Sequence, residues 1–156
     1  MKNLLTILVA SMLPLVGFAQ NQEERIQHFN LKDNLAIQGY DPVAYFTQNE
    51  AVKGAAQFEA RHDGVVYHFA NEANKAMFLK NPASYEPQYG GWCAFAIGDY
   101  GKKVPVDPKT FKITDGKLYL FYNANLNNTL KSWNKNEETL RQQGDINWKK
   151  ITFVNK

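Results

Sequence analysis

Two stretches of the chain alternate apolar and polar residues with the period of a β-strand, and an Asp-Gly pair interrupts each of them. The first runs over 57–70 around Asp63-Gly64, and the second runs over 111–122 around Asp115-Gly116. Asp-Gly favours the two-residue turn in which both central residues have a positive φ. Each stretch is therefore predicted to form a β-hairpin.

The two hairpins share five residues at a constant offset of 52 positions. These are Asp63, Gly64, Tyr67, Phe69 and Asn71 in the first hairpin and Asp115, Gly116, Tyr119, Phe121 and Asn123 in the second. However, the apolar side carries Tyr67 and Phe69 in the first hairpin but Leu118 and Leu120 in the second. A shift of one residue moves every side chain of a strand to the other face. The match is therefore interpreted as common hairpin chemistry rather than as a duplication.

Helix-start signals surround the hairpins. Asn71 is predicted to cap a helix that ends at Lys80, and Asp41-Pro42 and Asp107-Pro108 have the residue types of helix N-termini. Leu126, Leu130 and Trp133 have helical spacing near the end of the chain. The pattern predicts a single α+β domain, in which the two hairpins form a small antiparallel sheet packed with short helices.

The beginning of the chain has a different character. Residues 1–19 have the basic start, apolar run and small-residue end of a secretory signal peptide, with cleavage near Ala19. Residues 20–34 are polar and are predicted to form a loosely docked arm, which leaves 35–156 for the domain and its C-terminal helical extension. We expect the protein to be exported to the periplasm or the extracellular space.

Charge and cysteine content narrow the possible functions. The chain has 18 basic and 15 acidic residues, and only Lys2 of the leader is charged, so the mature chain has a formal charge of +2. This small charge, without a basic block, does not support nucleic-acid binding, and no stretch after the leader approaches the ~20 apolar residues of a membrane span. Cys93 is the only cysteine, so no internal disulfide is possible.

The candidate chemistry centres on the first hairpin. A two-residue turn places Glu59 opposite His68 on one face. The pair is interpreted in three ways: as an ordinary cross-strand pair, as a carboxylate that orients a metal-bound imidazole, or as the orienting pair behind a Cys93 nucleophile. Cys93 has a simpler interpretation as a small buried hydrophobe.

Aromatic residues crowd the sequence between the arm and the second hairpin. A plain aromatic core explains most of them. The alternative is a ligand pocket lined by Tyr40, Tyr45, Tyr89 and Trp92, since ligand pockets are mostly apolar with a few polar points.

Four blocks of the sequence together resemble the YHS-domain family, in particular its exported, single-domain bacterial members. The blocks are Gly39-Tyr40-Asp41-Pro42-Val43-Ala44-Tyr45-Phe46, Tyr67-His68-Phe69, Asn81-Pro82-Ala83-Ser84-Tyr85 and Pro87-Gln88-Tyr89-Gly90-Gly91-Trp92-Cys93-Ala94. The resemblance implies a small α+β domain related to cysteine modules that accompany heavy-metal transporters, and a role in binding or sensing metals.

The chain departs from that family at the positions of the metal-binding cysteines. Metal-handling relatives have cysteines where this sequence has Ala44, Ala70 and Asn74. Thiolates are the ligands that select Cu(I) or close a tetrahedral zinc site. A metal site would have to be rebuilt from His68 and Cys93, with Asp41, Glu59 or Met77 as further candidates, or be shared between chains.

The sequence therefore predicts an exported, non-enzymatic binding protein associated with copper or zinc. The alternative is a metal-free module that binds a small ligand or a protein partner through its tyrosine-rich surface. A thiol enzyme that uses Cys93 and His68 is the third hypothesis.

Overall fold

A computed structural model describes residues 16–153, and the sequence before Val16 and after Phe153 lies outside it. The helices are α1 Val16–His28, α2 Ala44–Thr47, α3 Glu72–Lys80, α4 Ala94–Tyr100, α5 Thr129–Trp133 and α6 Glu137–Phe153. The strands are β1 Leu31–Lys32, β2 Leu35–Ala36, β3 Ala55–His62, β4 Val65–Phe69, β5 Asp107–Thr114, β6 Lys117–Phe121, β7 Asn123–Ala124 and β8 Asn127–Asn128. The predicted α+β class is confirmed.

The two predicted hairpins are present, but they do not form one sheet. The first hairpin, β3–β4, belongs to a four-stranded sheet in the order β1-β2-β4-β3, in which β2 and β4 are parallel. The second hairpin, β5–β6, forms its own two-stranded sheet, and the free edge of β6 bridges instead to Pro87 and Cys93. The expectation of a single antiparallel sheet is wrong because each hairpin pairs with the segment that precedes it.

The register within the first hairpin is the predicted one. His62 pairs with Val65 and Glu59 pairs with His68, and both Asp63 and Gly64 have positive φ, at 44° and 84°. The Asp-Gly turn fixes which residues face each other across the two strands.

The same backbone design occurs twice at an offset of 52. In the first hairpin Ala55 pairs with Phe69, a bulge follows, and regular pairing resumes at Glu59 and His68. In the second hairpin Asp107 pairs with Phe121, a bulge follows, and regular pairing resumes at Phe111 and Leu120. Each of these positions in the second hairpin lies 52 residues after its counterpart in the first.

Within 35–71 and 87–123, the left-handed residues follow the same offset. Positive φ occurs at Ile37, Gln38, Gly39, Asn49, Asp63 and Gly64, and again at Tyr89, Gly90, Gly91, Gly101, Asp115 and Gly116. A β-branched residue such as Ile37 rarely adopts this conformation, so its recurrence at the matching Tyr89 is not a consequence of composition. The left-handed turn is part of a shared design.

Backbone hydrogen bonds complete the match. The amide of Asp41 donates to the carbonyl of Val52 at 2.9 Å, and the amide of Cys93 donates to the carbonyl of Val104 at 3.0 Å. We call 35–71 the first unit and 87–123 the second unit. The interpretation of the shared residues as mere hairpin chemistry is wrong, because it assumed that each hairpin buries only one face.

The two units stack, and β6 is buried on both faces. We call the side of the first hairpin that carries Glu59, Arg61, Val66 and His68 its outer face, and the opposite side its inner face. The inner face packs into one core cluster together with Leu118 and Leu120 of the second unit. The other side of β6, with Tyr119 and Phe121, packs against Trp133 and Leu140 in a second cluster. The outer face of the first hairpin lies at the end of this stack.

The predicted capping residues have mixed outcomes. Asn71 caps α3 by accepting from the amide of Asn74 at 2.8 Å, and the helix ends at Lys80 as predicted. Asp41 accepts from the amides of Val43 and Ala44 at the start of α2. Asp107 caps no helix: its carboxylate binds Lys109 and Thr110 at the bulge of β5.

The segment predicted to be a loose polar arm is docked. It is helical as far as His28, whose carbonyl accepts from the Trp92 indole at 2.6 Å. Arg25 forms an ion pair with Glu86, and the amide of Asn30 donates to the carbonyl of Gly90 at 2.8 Å. Polar composition alone did not reveal these contacts.

Most of the predicted signal peptide lies outside the described residues, and α1 spans the predicted cleavage position near Ala19.

None of the helices in the described part of the chain combines the length and apolar character needed to cross a membrane.

Candidate binding cleft

The outer face of the first hairpin forms one side of an open cleft of about 470 Å³, which we call the outer cleft. Its other side comes from the β1–β2 turn and the left-handed turn that follows β2. The lining residues are Lys32, Asp33, Asn34, Leu35, Gln38, Glu59, Arg61, Val66 and His68. Both candidate residues that the sequence placed on this face, Glu59 and His68, therefore lie in one cleft.

The Glu59 and His68 side chains meet across the two strands as predicted. The His68 Nε2 and Glu59 Oε2 atoms are 3.4 Å apart, and the His68 side chain is the more buried of the two. This separation is long for a charge-assisted hydrogen bond. It is also close to the distance between two ligands of one tetrahedral ion when each metal–ligand bond is about 2.0–2.1 Å. The geometry allows a cross-strand pair or two ligands of a metal.

Gly39 lies beside the other nitrogen of His68. A β-carbon on Gly39 would lie 3.6 Å from His68 Nδ1 and 3.7 Å from Lys53 Nζ. The glycine also has a φ of 81°, a conformation that side-chain-bearing residues rarely adopt. His68 Nδ1 and the Lys53 ammonium group therefore border the same small volume.

Gly54 explains how Lys53 reaches this position. A β-carbon on Gly54 would lie 2.5 Å from the carbonyl carbon of His68, so a larger residue would push the loop away from β4. Lys53 Nζ donates to the carbonyl of Gln38 and lies 4.6 Å from the centroid of the Tyr40 ring. Sequence reasoning did not single out Lys53 or Arg61 as site residues, although the hairpin register puts Arg61 on the face of Glu59 and His68. The Gly54 beside Lys53 was the available signal for a close backbone approach.

Cys93 does not join His68. It is fully buried in the core cluster on the inner face of the first hairpin, whereas His68 lies on the outer face. The Cys93 Sγ lies 3.3 Å from Thr129 Oγ1 and accepts a hydrogen bond from the amide of Tyr122. Within residues 16–153, no three His, Cys, Asp or Glu side chains form a group that could hold a metal. The prediction that His68, Cys93 and Glu59 form one site is therefore wrong, because the sheet separates the Cys93 thiol from the other two side chains.

The three positions without cysteines converge on the Asp41 carboxylate. It accepts hydrogen bonds from the amides of Ala44 and Ala70, at 3.3 and 2.8 Å, and from the Asn74 side chain at 2.7 Å. A further bond from the amide of Val43 brings the total to four, and Asp41 is fully buried. All three positions therefore contact the Asp41 carboxylate, two through backbone amides and one through a side-chain amide. In the second unit Cys93 occupies the position that matches Asp41.

The aromatic residues proposed as a pocket are divided between two cores. Tyr45 is buried in the first cluster and donates to the carbonyl of Pro108, and burial raises its pKa. Tyr89 is buried in the second cluster, where burial and the nearby Asp145 raise its pKa. Tyr40 and Trp92 are half-buried at the margins of different clusters. The four side chains do not line one pocket because most of their surface packs into the protein.

Comparison with known proteins gives no match. No family model, curated protein or solved structure matches this chain. The resemblance to the YHS-domain family therefore stays a prediction from the four sequence blocks.

Proposed function

We propose that this protein is a binding module that holds a small polar ligand in the outer cleft. The observation that carries the proposal is the comparison of the two units. The second unit builds the same hairpin with Phe111, Ile113 and Leu120 at the positions of Glu59, Arg61 and His68. The backbone therefore does not require this polar set. On the first unit these side chains line a concave cleft, with Glu59 and Arg61 exposed and His68 half-buried, where they are available to a polar ligand.

The proposal differs from the tyrosine-lined pocket in its location and chemistry. Ligand sites are concave and place a few polar groups at fixed positions. Short strands fix the positions of Glu59 and His68, whereas Tyr45 and Tyr89 have little surface left for a ligand.

A thermal-shift screen of small metabolites and metal salts tests the proposal. A ligand present at 100 times its dissociation constant adds about 2.7 kcal/mol to the free energy of unfolding. We expect the shift produced by a true ligand to disappear in His68→Leu, the residue that the second unit carries at this position. Hits that stabilise His68→Leu and the original protein equally would place binding elsewhere and contradict the proposal.

Copper or zinc binding by His68 and Glu59 is the second candidate. The 3.4 Å between Nε2 and Oε2 favours it, since two ligands of one ion have about this separation. The Lys53 ammonium group, on the Nδ1 side of the His68 ring, opposes it because a dication and an ammonium group repel each other.

Metal analysis after incubation and desalting tests this candidate. Retained copper or zinc that is lost in His68→Leu but kept in Cys93→Ala would support a site at the outer cleft. Equal retention by all three proteins, or none by the original, would contradict it.

We also propose that the protein is exported after removal of residues 1–19. The basic start, apolar run and Gly17-Phe18-Ala19 ending support this proposal. Intact mass measurement of the protein from its own cells is expected to give a chain that begins at Gln20. A chain that retains Met1 in the cytoplasm would contradict it.

A further inference from the structure

The cationic side chains of the outer cleft lack partners within the described residues. Lys32 and Arg61 both line the cleft, and neither has an ion pair or a side-chain hydrogen bond in residues 16–153. The carboxylate of Glu59, by contrast, faces His68. Asp33 is the remaining acidic residue of the lining. The lining itself is balanced, with two basic residues and two acidic ones, and the Lys53 ammonium group at the Gly39 margin adds one further positive charge.

Arg61 is positioned by the hairpin, not by a flexible loop. It pairs with Val66 across β3 and β4, and valine offers the guanidinium group no acceptor. A guanidinium group presents its donors in a planar fork that matches two oxygens of a carboxylate or a phosphate. Arg61 is exposed and has no acceptor within the described residues, so its donors are available to an oxyanion from outside the chain.

The second unit shows that these cations are not needed for the backbone. The positions of Lys53 and Arg61 correspond to Pro105 and Ile113. Gly54 lets the loop that carries Lys53 approach β4 closely, since a β-carbon on Gly54 would lie 2.5 Å from the His68 carbonyl carbon. The first unit thus combines a permissive glycine with a lysine that the second unit lacks.

From these contacts we infer that the ligand of the outer cleft is a small oxyanion, a carboxylate or a phosphate. Arg61 binds it through its fork, Lys32 adds charge from the β1–β2 turn, and Lys53 adds charge from the Gly39 side. This inference rests on the proposed function, because it names the ligand class of the same cleft.

The experiment is a titration of the protein followed by amide chemical shifts in ¹H–¹⁵N NMR spectra. Sodium phosphate and sodium malonate are the two probes, each compared with sodium chloride at the same ionic strength. We expect saturable shifts for Leu35, Val66 and His68 with at least one probe. A response to phosphate alone, or to malonate alone, identifies which oxyanion the cleft prefers.

Two variants of Arg61 test the role of its fork. Arg61→Ile copies the second unit and is expected to raise the dissociation constant about 10-fold or more, since it removes a charge-assisted bidentate contact. Arg61→Lys keeps the charge without the fork and is expected to bind with intermediate affinity. It also serves as the test if Arg61→Ile fails to fold.

Lys109→Ile is the matched control. It removes one positive charge from an exposed strand position of the second unit, outside the cleft lining. Its dissociation constant is expected to stay within about twofold of the original value, because exposed charges beyond a Debye length of ~10 Å are largely screened. An equal loss in Lys109→Ile and Arg61→Ile would show attraction by net charge alone and overturn the inference.

The remaining outcomes separate this inference from the proposed function. Shifts that match those in sodium chloride overturn the oxyanion inference. If zinc chloride or an uncharged ligand then shifts the same amides, the binding module stands and only the ligand class is wrong. If neither probe nor any ligand from the thermal-shift screen shifts the amides of the cleft, both the oxyanion inference and the proposed binding function are wrong.

Discussion

The two units share the same backbone geometry but differ in what packs against them. Both have a left-handed turn, a short helix and a bulged hairpin at matching positions. The second unit lies between the first unit and α5–α6, so β6 is apolar on both faces. The first unit lies at the end of the stack, and its outer face is free to carry charge. The comparison teaches that position in the stack, and not backbone geometry, determines which residues each hairpin can carry.

The matched pair of Asp41 and Cys93 gives the largest expected effect. Asp41→Ala would remove the acceptor of four hydrogen bonds in a buried site, and we expect a loss of about 5 kcal/mol in the free energy of unfolding. Cys93→Ala removes only a small side chain and a weak acceptor, and should cost about 1–2 kcal/mol. Urea unfolding curves measure both. Equal losses would show that the two positions do not differ in the way their contacts indicate.

An exchange of residues between the two hairpins gives the next effect. Leu120→His places an imidazole in the core and is expected to cost about 3 kcal/mol, from lost packing and an unpaired polar group. His68→Leu changes the half-buried outer face and should alter stability by less than about 1 kcal/mol. Thermal unfolding of both variants measures the asymmetry. A costly His68→Leu with a tolerated Leu120→His would reverse our assignment of the faces.

The left-handed turns give a smaller effect. A β-carbon on Gly90 would lie 3.1 Å from the Phe29 Cα atom and 3.2 Å from the Trp148 ring, and φ is 58°. Gly90→Ala is therefore expected to cost about 2 kcal/mol. Gln38 already has a side chain at the position that matches Gly90. Gln38→Gly would relieve the strain of a positive φ but would lose the hydrogen bond from the Gln38 side chain to the Val106 carbonyl. We expect a net change within about 0.5 kcal/mol in denaturant unfolding, and a large loss would mean that the Gln38 contact dominates.

The smallest effect concerns α1, which docks on the second unit. Burial and the Lys103 ammonium lower the pKa of His28 below its ordinary value of 6.5, while Glu24 opposes the shift. The unfolded chain therefore takes up this proton at a higher pH than the folded protein. Stability is expected to fall as the pH drops below about 6.5, through the interval down to the folded pKa.

Urea midpoints at pH 7.5, 6.5 and 5.5 measure this effect. His28→Gln keeps an acceptor for Lys103 but does not titrate, so its midpoint should fall less with acidification. Identical pH profiles for the two proteins would assign the acid sensitivity to other groups.

Short-range features of the fold could be predicted from the sequence. The Asp-Gly turns fixed both hairpins and the pairing of Glu59 with His68, because a two-residue turn leaves one register. The Asn71 cap and the end of α3 at Lys80 followed from local residue preferences. These features depend on residues that are close in the chain.

The features that sequence reasoning missed depend on distant contacts or on unusual backbone. Ile37 and Tyr89 adopt left-handed conformations that their side chains disfavour, so composition gave no sign of the two turns. The double burial of β6 requires α5 and α6 on one side and the first unit on the other. For the same reason, the separation of Cys93 from His68 could not be predicted. The Asp-Pro pair did not by itself distinguish a helix start from a strand bulge, because it begins α2 at Asp41 but lies at the bulge of β5 at Asp107.

The double burial of β6 also has a consequence for how the molecule opens. Amides covered on both sides exchange with solvent only when the whole domain unfolds, so Leu118–Phe121 should be among the slowest to exchange hydrogen for deuterium. β3 is an edge strand with mostly exposed residues, and its amides should exchange through smaller openings. Since β3 carries Glu59 and Arg61, a ligand in the outer cleft would hold closed the part of the fold that otherwise opens first.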